Sequence, residues 1–428
     1  MSREYTKELY QWVIETLDKH FQLNRQMESE LANLKLDCSD PTVRDLMIEK
    51  LLQHFKDYHP LPLFAETDLQ GNILYANEEF IRLSKYTASE LIGKNINILR
   101  SSRMESGLFT DMWNHLKAGK PWRGELQNRA KDYNTYWIDT FICPVLDESG
   151  NIIKYWSVAF DITSQMLQKD KIEAFNQDVL ESLKYARRIQ KTILPSKKAM
   201  DEELNDYFVL YKPKDVVSGD FYWFNKTIDR IYVAVVDCTG HGVPGAFMSL
   251  IGYNLLNQIV LQQHIHRPGD ILTELHRQVR ATLRQDEDDA LTQDGMDVCL
   301  CAISRFGEEV EYAGAKRPLY WVHNNQLIVI EADKMSIGGE QMEQERVFKT
   351  HILEIESGDV IYLFSDGFVD QLGGPQEKKF STKQLKALIE NNHQESMNVQ
   401  KALFNIVWKD WRGDGEQIDD VTMIGIRL

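Results

Sequence analysis

The chain has 428 residues, 49 basic and 65 acidic, and its formal net charge of −16 excludes nucleic acid or an anionic membrane as its main partner. That length calls for two or three domains rather than one core. No apolar stretch approaches the roughly 18 residues of a membrane span, and Met1 leads straight into a polar segment, so a soluble, cytoplasmic protein is expected. Five cysteines (Cys38, Cys143, Cys238, Cys299 and Cys301) are odd in number and lack CxxC spacing, which points away from a disulfide framework or a structural zinc.

Residues 1–59 read as helical. Tyr10, Val13, Leu17, His20, Asn24, Met27, Leu31 and Leu34 alternate at spacings of three and four, a heptad seam whose Asn24 can set register. "SDPTVRDLMIEKLLQHF" then offers Ser39 or Asp40 as a cap, Pro41 in the first turn and a second amphipathic helix. Two outcomes stand: a dimer seam, or a helical hairpin within one chain. Between residues 60 and 164 the texture changes to short strands, turns such as "LQGN" and "DESGN", and dense aromatics, which predicts a mixed α/β unit.

Residues 165–198 carry a second seam, with Ile172, Phe175, Val179, Ala186, Ile189 and Ile193 at near-heptad spacing before Pro195. It reads as a connecting coiled coil, or as a helix packed on the domain that follows. From 199 to 428 strand-like runs dominate ("IYVAVVD", "DVCLCAIS", "PLYWVH", "DVIYLFSDG", "DVTMIGIRL") with helical stretches between them. Strands and helices do not alternate regularly, so α+β layers are expected over a doubly wound parallel sheet.

Four aspartates stand at the edges of these runs: Asp220 in "SGDFYWF", Asp237 in "VVDCTGHG", Asp366 in "LFSDGFVD" and Asp419 in "IDDVTMIG". One aspartate after a strand is most often a turn former or a cap. Four of them, two directly beside a glycine, suggest carboxylates carried on rigid bases. Converging, they would repel unless hard divalent cations such as Mn²⁺ or Mg²⁺ sat between them.

In order and content, "VSGDFYWF", "VAVVDCTGHGVPGAFMSLIG", "YLFSDGFVDQ" and "DDVTMIGIRL" resemble the motifs of PPM-type metal-dependent serine/threonine phosphatases, and the SpoIIE/RsbU branch matches best. The resemblance covers residues 199–428. It implies an antiparallel β-sandwich flanked by helices and a centre of two Mn²⁺ or Mg²⁺. Asp237 would bridge both metals with the Cys238 carbonyl in the shell, Asp220 would join one metal, and Asp366 and Asp419 the other. Asp420 is the alternative to Asp419. Asp297 in "QDGMDVCL" is read as a turn residue, with a role at the metals as the alternative. His241 would protonate the leaving oxygen, or else serve only as an exposed loop residue. "YAGAKRPLY" departs from the family at a third-metal position, and Lys316 and Arg317 there are read as a solvated basic pair, with substrate phosphate as the alternative.

The stretch from "FAETDLQGNILYANEEF" through "KYWSVAFDIT" resembles a PAS sensor domain over 60–164. "PWRGELQNRAKD" with Trp113 is similar to flavin-binding redox PAS domains, which implies that Trp113, Trp122 and Asn128 surround FAD or another flavin. Tryptophans that merely fill a core are the alternative. Together the resemblances imply a dimeric protein phosphatase, joined through its N-terminal helices, sensor and linker. It would act on a phosphorylated anti-sigma-factor antagonist; the alternative is an inactive scaffold that binds a phosphoprotein.

Overall fold

The structure is a computed structural model that describes residues 62–428 except 148, 288–291, 307–308, 342 and 344, together with residues 8, 11–13, 15, 16 and 19. Two compact units comprise residues 1–177 and 178–428. Cys38, the N-terminal seam beyond Val13 and the helix expected after Pro41 lie outside the described residues. Residues 11–13, 15 and 16 are helical, and Trp12 packs on Phe141 and Phe160 while its indole N–H donates to Asp139. Val13 is buried.

The first unit is an antiparallel sheet of β1 (Leu63–Thr67), β2 (Ile73–Ala76), β3 (Trp122–Arg129), β4 (Thr135–Leu146) and β5 (Ile152–Asp161), ordered β2-β1-β5-β4-β3. Its two expected turns are built alike. Asp68 accepts the N–H groups of Gln70 and Asn72, Asp147 those of Ser149 and Asn151, and Gly71 and Gly150 take the left-handed conformation at φ +84°. Helices α1 (Glu78–Ser84, capped by Asn77) and α2 (Ser106–Lys117) cross the sheet, burying Phe80, Met112 and Leu116 against Leu126 and Ile138.

Helix α3 (Thr163–Ile193) leaves this unit and ends in the next. None of its 31 residues is buried, and Ile172, Phe175, Val179 and Ile189 of the expected seam stay exposed.

The second unit is a four-layer α/β/β/α sandwich. Its first sheet contains β7 (Phe221–Lys226), β8 (Arg230–Cys238), β9 (Gly295–Ser304), β10 (Glu309–Ala315) and β14 (His351–Glu354), with the short β13 (Ile337–Gly338) beside β9. The second contains β6 (Asp206–Lys212), β11 (Leu319–His323), β12 (Gln326–Ile330), β15 (Val360–Phe364) and β18 (Val421–Arg427). All pairings within these two sheets are antiparallel, and a small hairpin, β16 (Leu372–Gly373) and β17 (Lys378–Lys379), stands apart.

Alternation along β8 explains its continuous apolar run. Ile231, Val233 and Val235 face the second sheet, whereas Tyr232, Ala234 and Val236 face helices α4 (Gly242–Asn257) and α5 (Pro268–Thr282). On the far side α6 (Thr382–Asn392) and α7 (Met397–Arg412) cover the second sheet through Leu385, Phe404 and Trp408.

Candidate active site

Antiparallel pairing gathers alternate strand ends on one rim. In the first sheet these are the start of β7, the end of β8, the start of β9 and the end of β10; in the second, the end of β6 and the starts of β11 and β18 with the end of β15. Asp220 immediately precedes β7, Asp237 is next to last in β8, Asp366 follows β15 and Asp419 precedes β18. Thus four residues scattered over two hundred positions come to one place. The Asp366 N–H lies 3.5 Å from Asp237 Oδ2, which joins the rims of the two sheets.

The motif glycines let these segments interlock through their backbones. A Cβ on Gly219 or on Gly245 would collide with the Gly240 carbonyl oxygen, and one on Gly367 with the Asp420 carbonyl oxygen. Gly240 and Gly242, at φ +82° and +66°, turn the chain from β8 into α4.

Charge is badly matched at this rim. Asp220 is buried and its Oδ2 has no hydrogen-bond partner. Burial first, and then the Asp237 charge, push its pKa well above the carboxylate range. Burial also pushes Asp237 up to about 7; Arg317 opposes this, while Asp366, Asp419 and Asp297 add to it. Asp419 is raised by burial and by Asp366 and Asp420.

Two residues do not behave as the sequence reading expects. Asp297 is no turn residue: it sits inside β9 as the cross-strand partner of Asp237 and accepts the Ser336 hydroxyl at 2.6 Å. Arg317 is not solvated, because the turn after β10 drives its side chain into the acidic cluster, where it is only 15% exposed. Its Nη2 lies 2.5 Å from Asp366, 2.8 Å from Asp237 and 3.4 Å from Asp297. Lys316 stays half-exposed, 3.8 Å from Asp297. Neither role is visible in sequence, since cross-strand register and the direction of a loop side chain are tertiary facts.

Asp420 is set apart from Asp419 by its partners. Its two carboxylate oxygens accept the backbone N–H groups of Lys214 and Gly219, each at 2.7 Å, so it is committed to holding the loop before Asp220. The Cys238 side chain is buried, and burial raises its thiol well above the usual range, so the residue offers its carbonyl rather than a thiolate. His241 stands at the rim with Nδ1 2.6 Å from Asp215 and Nε2 3.0 Å from the Lys214 ammonium.

The donor chemistry fits hard divalent cations: every acidic donor is an oxygen, several are buried, and one is orphaned. Among the described residues no three acidic, His or Cys side chains cage an ion by themselves. The oxygens that do converge meet on Arg317 Nη2 instead.

In the sensor unit, Trp113 and Asn128 line a narrow cavity of about 80 Å³ together with Phe109, Met112 and Tyr155. Trp122 does not line it, and its indole N–H is bonded to Asp111 at 2.9 Å. As it stands the cavity is below the roughly 300 Å³ at which ligand pockets begin, so an isoalloxazine would need its walls to part.

Residues 228–428 match the family described as Stage II sporulation protein E (SpoIIE), and residues 60–164 match the PAS domain. Asp220 lies just ahead of the matched span. The sensor region is 39% identical over 103 residues to the aerotaxis receptor of Escherichia coli (strain K12), covering 24% of this chain and 20% of that protein. The C-terminal region is 28% identical over 201 residues to phosphoserine phosphatase RsbU of Bacillus subtilis (strain 168), covering 46% of this chain and 56% of that protein. The chain therefore spans less than two thirds of either relative. Among solved structures, the SiaA-PP2C domain of Pseudomonas aeruginosa superimposes with a TM-score of 0.54 at 28% identity, over 60% of this chain and 99% of that one. Motifs, sandwich and matches agree: residues 228–428 form a SpoIIE-type domain behind a PAS domain at 60–164, an arrangement similar to PAS-containing, SpoIIE/RsbU-like PPM phosphatases.

Proposed function

We propose that this protein is a divalent-metal-dependent phosphatase acting on phosphoserine or phosphothreonine in a protein substrate, under the control of its PAS domain. The meeting of Asp220, Asp237, Asp366 and Asp419 at one rim, with a buried carboxylate oxygen left unpartnered, carries this reading. Asp237 would serve both metals with the Cys238 carbonyl joining the shell, Asp220 one of them, and Asp366 and Asp419 the other. Two Mn²⁺ or Mg²⁺, when bound, supply the charge these carboxylates lack and acidify water for attack on phosphorus. The chain's own residues do the rest: the glycine turn at 240–242 lets a phosphoryl group approach the backbone, and Asp215 orients His241, whose Nε2 would deliver a proton to the leaving oxygen once the Lys214 ammonium moves off it.

Control through α3 is supported by its last turns. Gln190 donates to the Ser218 carbonyl at 2.6 Å and to the Ser249 hydroxyl at 3.1 Å, and accepts the Ser218 N–H at 3.1 Å. A shift of α3 would thus be felt two residues before Asp220. An isolated 31-residue helix with an exposed apolar seam is poorly stable in water, which supports a second copy of the chain as its partner. As the likeness to a phosphoserine phosphatase suggests, the substrate would be a phosphorylated regulatory protein of the anti-sigma-factor-antagonist class, in the cytoplasm.

Arg317 favours one rival, an inactive scaffold whose acidic cluster is permanently neutralised from within. Mn²⁺-dependent release of phosphate from a phosphoserine protein decides between them. Turnover that disappears in Asp237→Ala and Asp366→Asn supports the phosphatase; a folded, Mn²⁺-saturated wild type without turnover supports the scaffold.

A further inference from the structure

We propose that Arg317 is a resident counter-ion that competes with the divalent cation for Asp237 and Asp366, so that loading the site requires the guanidinium to leave. This rests on the metal-dependent reading above and adds a determinant of metal affinity to it.

The backbone of Arg317 is pinned. Its N–H donates to the Ala315 carbonyl at 2.7 Å, its own carbonyl accepts the Tyr312 hydroxyl at 2.7 Å, and Pro318 follows. Gly314 permits this packing, since a Cβ there would overlap the Tyr312 hydroxyl. Lys316, left-handed at φ +55°, aims the next residue inward. The side chain is therefore delivered to the cluster from a fixed base.

Its seat, however, is incomplete. A structural arginine uses its fork bidentately and satisfies its donors. Here all three carboxylate contacts run through Nη2, while Nε is buried with no hydrogen-bond partner. Charge holds the group more than geometry does. The balance also leaves room for a stronger cation, because one arginine and a half-exposed Lys316 stand against Asp237, Asp297 and Asp366, with the Asp220 and Asp419 charges acting on the same cluster. A divalent ion gains more from these carboxylates than one guanidinium does, but it must first displace that guanidinium. Wild-type affinity is therefore weaker than the carboxylates alone would set.

The test is Mn²⁺ binding to the full chain, read from the electron paramagnetic resonance of free Mn²⁺, together with thermal unfolding with and without the metal. Arg317→Gln should bind Mn²⁺ roughly tenfold more tightly than wild type, the equivalent of losing one competing charge-assisted hydrogen bond. Its metal-free form should melt lower and gain more from Mn²⁺, and Arg317→Lys should fall between. A merely structural arginine would lower the melting temperature without tightening the metal. Should Arg317→Gln fail to fold, Arg317→Lys must still bind more tightly than wild type. Equal or weaker binding in the variants overturns this proposal alone, whereas no saturable Mn²⁺ binding by wild type or variants overturns the metal-dependent reading as well.

Discussion

Gly219→Ala tests whether backbone interlock builds the acidic rim. The added Cβ would overlap the Gly240 carbonyl oxygen and lie 3.4 Å from both the Cys238 carbonyl oxygen and the Gly245 Cα. All three are backbone atoms, so no rotamer change relieves the overlap. Overpacking of this kind costs about 1–3 kcal/mol. At about 2–4 °C per kcal/mol for a unit of this size, the melting transition of residues 178–428 should fall by roughly 2–12 °C. Strain would be relieved by moving Asp220 away from Asp237, and a misplacement near 1 Å lowers turnover by about a hundredfold. Calorimetry, with Mn²⁺-dependent kinetics well below the transition, reads both effects. Gly107→Ala in α2, where a Cβ meets nothing within 4 Å, is the control and should leave stability unchanged or raise it by up to about 1 kcal/mol. If Gly219→Ala melts and turns over like wild type, backbone interlock is not what positions Asp220.

Asp419→Asn and Asp420→Asn should separate cleanly. The first should lose Mn²⁺ affinity with little change in melting temperature; the second should lose about 1–3 kcal/mol, because a carboxylate accepting two backbone N–H groups is replaced. Metal-free protein should lose stability with rising pH. Asp237 titrates near 7 in the fold against an ordinary 3.8, so the native state binds more protons, and its contribution is full below about pH 4 and lost as pH rises through about 7. Asp237→Asn should flatten that slope in a melting series with chelator present, and an unchanged slope would contradict the burial of an ionisable Asp237. Gln190→Ala should lower Mn²⁺-dependent kcat/KM by roughly tenfold by freeing Ser218 from α3, and wild-type kinetics would disconnect that helix from Asp220. The purified protein should lack a flavin absorption spectrum, because its sensor cavity is about 80 Å³; bound flavin would require Phe109 and Met112 to part.

Much of the architecture is legible in local pattern. "LQGN" and "DESGN" announce their turns because Asp68 and Asp147 bond to backbone a few residues on. The continuous apolar run before Asp237 announces a strand covered on both faces, and α3 is announced by its period. Asp220, Asp237, Asp366 and Asp419 stand out because each caps a buried run, two of them, Asp220 and Asp366, beside a glycine whose missing side chain the neighbouring backbone needs.

Register and direction are not local. Asp297 looks like a turn residue until β9 pairs with β8 and sets it opposite Asp237. Arg317 looks like half of a solvated pair until the turn after β10 sends it inward and Lys316 outward. Trp122 shares its sequence context with Trp113, yet Asp111 claims its indole, and only Trp113 reaches the cavity. Spacing and residue type thus determined the strands, the turns and four of the acids. The fold decided which charges face one another, because electrostatic partnership depends on distances across the sandwich that the order of residues along the chain does not contain.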